Sequence, residues 1–205
     1  MAEARVVAIV LAAGRSRRMG QAKLLLPWGE RTVLGQTLAN LRAAPVGDVL
    51  VVTGHRAAAI AAVTRDHGGR VVFNPDWASG GRLSSLQAGL RALPRHTGAV
   101  LVALADQPMV GPEVHRALIA AWRAGGPAIF APTHRGRRGN PVLFDRTHVA
   151  ALLALPAGAR PRDLLERRPE AVRLVEVGNE AVLADLDRPE DYRRWTGREA
   201  RPDAS

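Results

Sequence analysis

Residues 5–23 read RVVAIVLAAGRSRRMGQAK, and one change of character inside that stretch decides the fold class. Arg5–Leu11 is a nearly unbroken run of Val, Ala, Ile and Leu, the pattern of a buried strand. From Ala12 to Lys23 the chain turns to glycine, serine and arginine, the pattern of a loop. Further on, Asp48–Thr53, Arg70–Phe73 and Ala99–Ala105 repeat the strand pattern. Between them Thr32–Arg42, His55–Asp66 and Ser84 to about Arg91 read as helices, with Gln87 placed for a capping box behind Ser84. Gly111–Pro112–Glu113 opens a further helix to about Ala124, with proline suited to the first turn. This alternation over the first 125 residues predicts an α/β sandwich with a mostly parallel central sheet.

The second half is less regular. Pro127–Ala131 and Val142–Phe144 read as short strands around a basic, glycine-rich loop, Thr133–Pro141. Asp145 is placed to cap a helix to about Leu155, and Arg160–Arg168 reads as a short helix. Val172–Val177 and Ala181–Leu186 read as strand-like. Asp187 and Glu190 suit a reciprocal cap for a helix through Trp195. Residues 1–195 are expected to form one domain, and 196–205 a frayed tail.

Composition narrows the function classes. The 205 residues are 47% hydrophobic and 23% charged, which suits a globular core. The absence of cysteine excludes disulfides, thiolate-held clusters, Cys-ligated zinc and a Cys nucleophile. The first residues offer neither a basic signal-peptide start nor an apolar run of membrane-spanning length, so a cytoplasmic protein without membrane contact is expected. The net charge is +10, but the arginines are scattered and lack interleaved aromatics. That pattern suits small polyanions better than nucleic acid. The six histidines show no metal-ligand spacing and are assigned to the surface or to caps. Trp77 is placed near the cleft; Trp28, Trp122 and Trp195 are assigned to packing.

The chemistry is expected beyond the carboxyl ends of the strands, where ligands bind in open α/β sheets. In the loop after the first strand, Arg15, Arg17, Arg18 and Lys23 place four positive charges within nine residues. Glycine lets the backbone approach a ligand closely, and successive N–H groups can cradle phosphate. The spacing matches neither Gly-x-Gly-x-x-Gly nor Gly-x-x-x-x-Gly-Lys-Ser/Thr. A triphosphate-binding loop of another type remains. Lys23 is the sole lysine beside 28 arginines, a compact point charge where every other cation is a planar fork. Asp106, ending the Ala99–Ala105 strand, is placed to hold Mg²⁺ against phosphate oxygens. Asp185 or Asp187 could add a second carboxylate; if Asp187 serves as a cap, Asp185 is the better ligand. Asn74, Gly80, Gly81, Ser84 and Ser85 lead into a helix N-terminus that offers free N–H groups. Arg137, Arg138 and Asn140 lie on the second basic loop.

These motifs together resemble the molybdenum-cofactor nucleotidyltransferases, most closely the cytidylyltransferases among them. LAAGRSRRMGQAKLLLPWG, NPDWASGGRLSSLQAGL, LADQP, GRRGNPVLF, PAGARPRDLL and DLDRPEDY follow one another in that family's order. The resemblance implies a Rossmann-like three-layer fold and Mg²⁺-dependent transfer of CMP from CTP to the terminal phosphate of molybdopterin or its molybdenum form. It implies that Leu11, Ala12, Ala13, Gly14, Arg15, Ser16, Met19 and Gly20 wrap the triphosphate, with Arg18, Lys23 and Asp106 catalytic. It further implies that Asp106 and Asp185 or Asp187 bind metal, and that Thr53 and Gly54 lie near the base. The Gly80–Ser85 segment resembles the cytidine-type members, and Arg137, Arg138 and Asn140 would face the pterin. Asn140 stands where the family usually places histidine. A molybdenum hydroxylase is the implied recipient partner. The alternatives are a GTP- or other-NTP-dependent transferase with another small phosphorylated acceptor, a flavin- or nicotinamide-linked oxidoreductase, and a non-catalytic nucleotide-binding chaperone.

Overall fold

The computed structural model describes residues 5–200. The chain runs β1 (Arg5–Leu11), a small hairpin of β2 (Pro27–Trp28) and β3 (Arg31–Thr32), α1 (Val33–Arg42), β4 (Asp48–Thr53), α2 (Ala57–Asp66) and β5 (Arg70–Phe73). It continues through α3 (Gly81–Arg91), β6 (Thr97–Leu104), α4 (Pro112–Gly125), β7 (Ile129–His134), β8 (Arg137–Arg138) and β9 (Val142–Asp145). It ends with α5 (Val149–Leu153), α6 (Pro161–Arg167), β10 (Val172–Glu176) and α7 (Pro189–Thr196).

The main sheet has the order β10-β7-β9-β6-β1-β4-β5, with β8 paired to β7. β1 pairs in parallel with both β4 and β6, β5 with β4, and β10 with β7. β9 lies antiparallel between β6 and β7. The sheet is therefore mixed, and parallel except for β9 and the short β8. Strand order reverses at β1: the chain moves outward to β4 and β5, then returns to lay β6 on the other side. That reversal opens a crevice beyond Leu11 and Leu104, which are register partners at the strand ends.

The two-residue period of β1 divides the core. Val6, Ala8 and Val10 pack on the face covered by α1, α2, α4 and α7, with Leu34, Leu38, Ile60, Leu118 and Tyr192. Ile9 belongs to the opposite face, with Leu86 of α3, Leu152 of α5 and Leu164 of α6. Helix α3 lies very close to the sheet because Gly89 has no side chain. A Cβ there would stand 2.7 Å from Ile9 Cγ2. This close approach fixes where the N-terminus of α3 meets the crevice.

Several local expectations are corrected. Ala181–Leu186 is not a strand: Asn179 caps a 3₁₀ turn over Glu180–Leu183 by accepting from the Ala181 N–H. The Val182 carbonyl is taken by the Asn140 N–H instead of a strand neighbour. Helix α3 begins at Gly81 rather than Ser84, and Gln87 makes no capping box. Its amide donates to the carbonyls of Leu152, Leu153 and Leu155, tying α3 to the end of α5. The N-cap of α7 is Arg188, and the carboxylate of Asp191 at the third helical position accepts from the Asp187 and Arg188 N–H groups, so the reciprocal cap is shifted by one residue from Asp187 and Glu190. His115 is buried within α4, contrary to a surface or cap assignment, whereas His148, also buried, stands at the N-cap position of α5. His115 follows Val114 on the inward face of α4. Thr196 is the last residue of α7 and Gly197 its C-cap, while residues 201–205 lie outside the described residues.

Candidate active site

The crevice is a cavity of about 450 Å³ at the carboxyl ends of β1 and β6. The loop after β1 forms one wall. Its backbone is anchored on both sides: the Ala12 N–H donates to the Val52 carbonyl, and the His55 N–H to the Ala13 carbonyl. Ser16 adopts a left-handed conformation, φ 54°, from which a 3₁₀ turn over Arg17–Met19 starts. Met19 then points into the core.

At the floor, three distant positions converge. The Lys23 ammonium donates to Asp106 Oδ2 at 2.5 Å and to Asp187 Oδ1 at 3.1 Å. Arg18 pairs with Asp187 Oδ2 at 2.9 Å. The Lys23 and Asp106 side chains keep only 12% and 11% of their exposure, so this contact is partly dry and its charges are weakly screened. Burial opposes ionisation of Asp187, but the Lys23 and Arg18 charges outweigh it and hold the carboxyl below its ordinary range. Asp185 behaves oppositely. Burial first, and the neighbouring Asp106 charge second, push its carboxyl upward. Its Oδ1 accepts from Gln107 Nε2 at 2.9 Å, and the same amide donates to the Ala184 carbonyl.

Of the residues singled out in the sequence, Leu11, Ala12, Ala13, Gly14, Arg15, Ser16, Arg17, Arg18, Lys23, Trp77, Gly81, Ser85, Asp106 and Asp187 line this cavity. Thr53 does not; it is fully buried at the end of β4. Gly54 lies against Trp77, where a Cβ would come within 2.4 Å of Trp77 Cβ. Asn74 is buried and its amide is spent on Ser84 Oγ and Ser85 Oγ, each at 3.0 Å. It holds the first turn of α3 rather than facing the cavity. Gly20, Gly80 and Ser84 stay off the wall, as do the exposed Arg137 and Arg138 and the half-buried Asn140. Between the two late carboxylates, Asp187 reaches the cavity and Asp185 does not.

Arg82, Leu24, Ala78 and Leu104 also line the cavity, and the sequence reading does not single them out. Arg82 had a signal available: it follows the glycine pair at the start of α3 and carries another positive charge. Among the described residues no group of three or more His, Asp or Glu is arranged to hold a metal by itself. None of the helices among the described residues is long and apolar enough to cross a membrane.

The sequence profile of the MobA-like NTP transferase domain matches residues 8–172, most of the chain and all the strands that build the crevice. The chain belongs to this family. This MobA-like protein is 32% identical over 199 residues to nicotine blue oxidoreductase of Paenarthrobacter nicotinovorans, spanning 92% of this chain and 95% of that one. It is 27% identical over 185 residues to the molybdenum cofactor cytidylyltransferase of Escherichia coli K12, spanning 90% and 92% respectively. The crystal structure of Rv0371c from Mycobacterium tuberculosis H37Rv superposes with a TM-score of 0.84 at 30% identity, covering 97% of this chain and all of that one. A second structure of Rv0371c is a complex with manganese. The fold is the α/β Rossmann-like fold of the nucleotidyltransferases, with a mixed central sheet between helical layers.

Proposed function

We propose that this MobA-like protein transfers a nucleoside monophosphate from a nucleoside triphosphate to a small phosphorylated acceptor and releases pyrophosphate. One observation carries the reading: a cavity at the strand reversal in which a cationic glycine loop faces two carboxylates bridged by the only lysine. In that reading the loop N–H groups and Arg18 hold the triphosphate. An oxygen of the acceptor phosphate attacks the α-phosphorus; the new P–O bond forms as the bond to the β-phosphate's bridging oxygen breaks, and pyrophosphate carries that electron pair away. A phosphate monoester has a second pKa of about 6 and is already ionised near neutrality, so no general base is required. Positioning and charge stabilisation do the work. Lys23 holds its point charge where negative charge grows on the transferring phosphoryl oxygens.

Asp106 and Asp187 fit a divalent cation that arrives with the nucleotide. Magnesium is commonly held by one or two carboxylates plus substrate phosphates, without a full protein cage. When bound it would neutralise phosphate charge and stabilise the departing pyrophosphate. The manganese complex of Rv0371c supports a divalent cation in a similar fold. The finer reading takes CTP as donor, molybdopterin as acceptor and Mg²⁺ as the metal; the E. coli cytidylyltransferase and the sequence motifs support it.

The similarity to nicotine blue oxidoreductase favours one second reading, a reductase with a nicotinamide or flavin cofactor. One panel separates the two: each of the four nucleoside triphosphates with Mg²⁺, against molybdopterin and a set of sugar and alditol phosphates, scored by pyrophosphate release and product mass. Pyrophosphate that appears only with both substrates present is the expected result. No release from any pairing, with steady NAD(P)H oxidation instead, would replace this proposal by the second reading.

A further inference from the structure

Helix α1 carries two polar side chains on its buried face. Thr37 and Asn40 stand three positions apart among Val33, Leu34, Leu38 and Leu41, and all six are buried. Residues three apart share a helix face, and a buried face of this kind ordinarily takes apolar side chains. Neither residue lines the cavity. Both spend their donors on one segment, the turn after β6. The Thr37 hydroxyl lies 3.2 Å from the Ala105 carbonyl and 3.1 Å from the Val33 carbonyl of its own helix. The Asn40 amide donates to the carbonyls of Pro108 and Val110, each at 2.9 Å, and its Oδ1 accepts from Gln36 at 2.7 Å.

These contacts fall on both sides of Asp106. Ahead of it, Ala105 is held through its carbonyl by Thr37 and through its N–H by the Leu11 carbonyl. Behind it, Asn40 takes two carbonyls of a turn that the Val110 N–H closes onto the Gln107 carbonyl. The Gln107 side chain runs the other way, to Ala184 and Asp185. With the flanking peptide groups drawn toward α1, the Asp106 carboxylate is left facing Lys23 on the cavity floor.

We propose that Asn40, supported by Thr37, is a positioning residue: from α1 it fixes the turn after β6 and so sets where the Asp106 carboxylate stands beside Lys23. The effect on turnover rests on the nucleotidyl-transfer reading, whereas the placement of Asp106 is measurable without substrate.

The test uses the full chain and its only lysine. Lysine carrying carbon-13 at Cε gives one side-chain signal, and Asp106→Asn calibrates how that signal moves when the partner carboxylate is lost. Asn40→Ala and Thr37→Val should move it in the same direction, and Thr37→Ser, which keeps the hydroxyl, should leave it in place. Turnover should follow: kcat for pyrophosphate release falls about 10–100-fold in Asn40→Ala, the scale of a misplaced reacting group, while KM for nucleotide stays within about twofold. In an Asp106→Asn background the same substitution should cost less than about twofold, because the group it places is already gone. Equal losses in the two backgrounds mark a purely structural role and overturn the proposal, as does an unmoved lysine signal in folded Asn40→Ala. Thr37→Val carries the same comparison if Asn40→Ala does not fold. A signal that ignores Asp106→Asn removes the contact on which the proposal stands and overturns it. Full turnover in Asp106→Asn sinks the role of that carboxylate in transfer instead, and the lysine signal then decides the positioning alone.

Discussion

At the scale of single residues, Lys23 concentrates the argument. A compact ammonium meets Asp106 and Asp187 at once, with three donors and no planar constraint. Arginine is the residue at every other basic position of this chain, which makes it the sharpest probe. Lys23→Arg should fold, yet lower kcat/KM for nucleotidyl transfer by about 10²–10³-fold, the usual cost of displacing one electrostatic donor from a reacting centre. Lys23→Ala should cost at least as much. Steady-state pyrophosphate release, with far-UV circular dichroism as the folding control, checks both. Full activity in Lys23→Arg would remove the ammonium from the reaction. Asp185 offers a contrast, since its side chain is turned toward Gln107 and away from the cavity. Asp185→Asn should reduce turnover by less than tenfold, whereas Asp187→Asn should resemble Asp106→Asn; equal losses at Asp185 and Asp187 would contradict this division.

At the scale of elements, α3 matters most, because its N-terminus borders the cavity and its body lies directly on β1 and β4. Gly89→Ala would place a methyl carbon 2.7 Å from Ile9 Cγ2 and 3.1 Å from Val52 Cγ2. Both neighbours are buried and β-branched, so neither can swing aside. Overpacking of this kind costs about 1–3 kcal/mol. The thermal midpoint should fall accordingly, and KM for nucleotide should rise as the helix end shifts; an unchanged midpoint would show that α3 has slack. Elements of this sort were legible to different degrees. β1, β4 and β6 are unbroken apolar runs, and their period requires no knowledge of partners. Ala181–Leu186 looked similar because its residues are apolar, but Asn179 offers the backbone a competing local bond and Val182 gives its carbonyl to Asn140. Gln87 could not be read correctly from spacing, since its acceptors lie 65 to 68 positions away. The same limit applies to the cavity. Residue types at Lys23, Asp106 and Asp187 were visible, but their meeting across 83 and 164 positions is a property of the strand order.

At the scale of the whole molecule, stability should carry a signature from one buried histidine. Burial pushes the His115 pKa down to about 4 from 6.5. A histidine with a depressed native pKa contributes stability in its neutral form above 6.5, and that contribution is lost as pH falls toward 4. Between pH 7 and 4.5 the loss amounts to about 2–3 kcal/mol. Urea unfolding across that range should show it, and His115→Leu should flatten the profile; a parallel decline in both proteins would place the acid sensitivity elsewhere. The Lys23 bridge has another molecular consequence. Its second carboxylate sits 164 positions downstream, next to α7, whose Tyr192 hydroxyl donates to the Pro27 carbonyl at 2.5 Å. During translation the glycine-rich turn after β1 leaves the ribosome early and waits for nearly the entire polypeptide before the second half of its clasp arrives. A nascent protein stalled before residue 187 would own every strand of the sheet and yet hold the Lys23 ammonium from one side only, through Asp106.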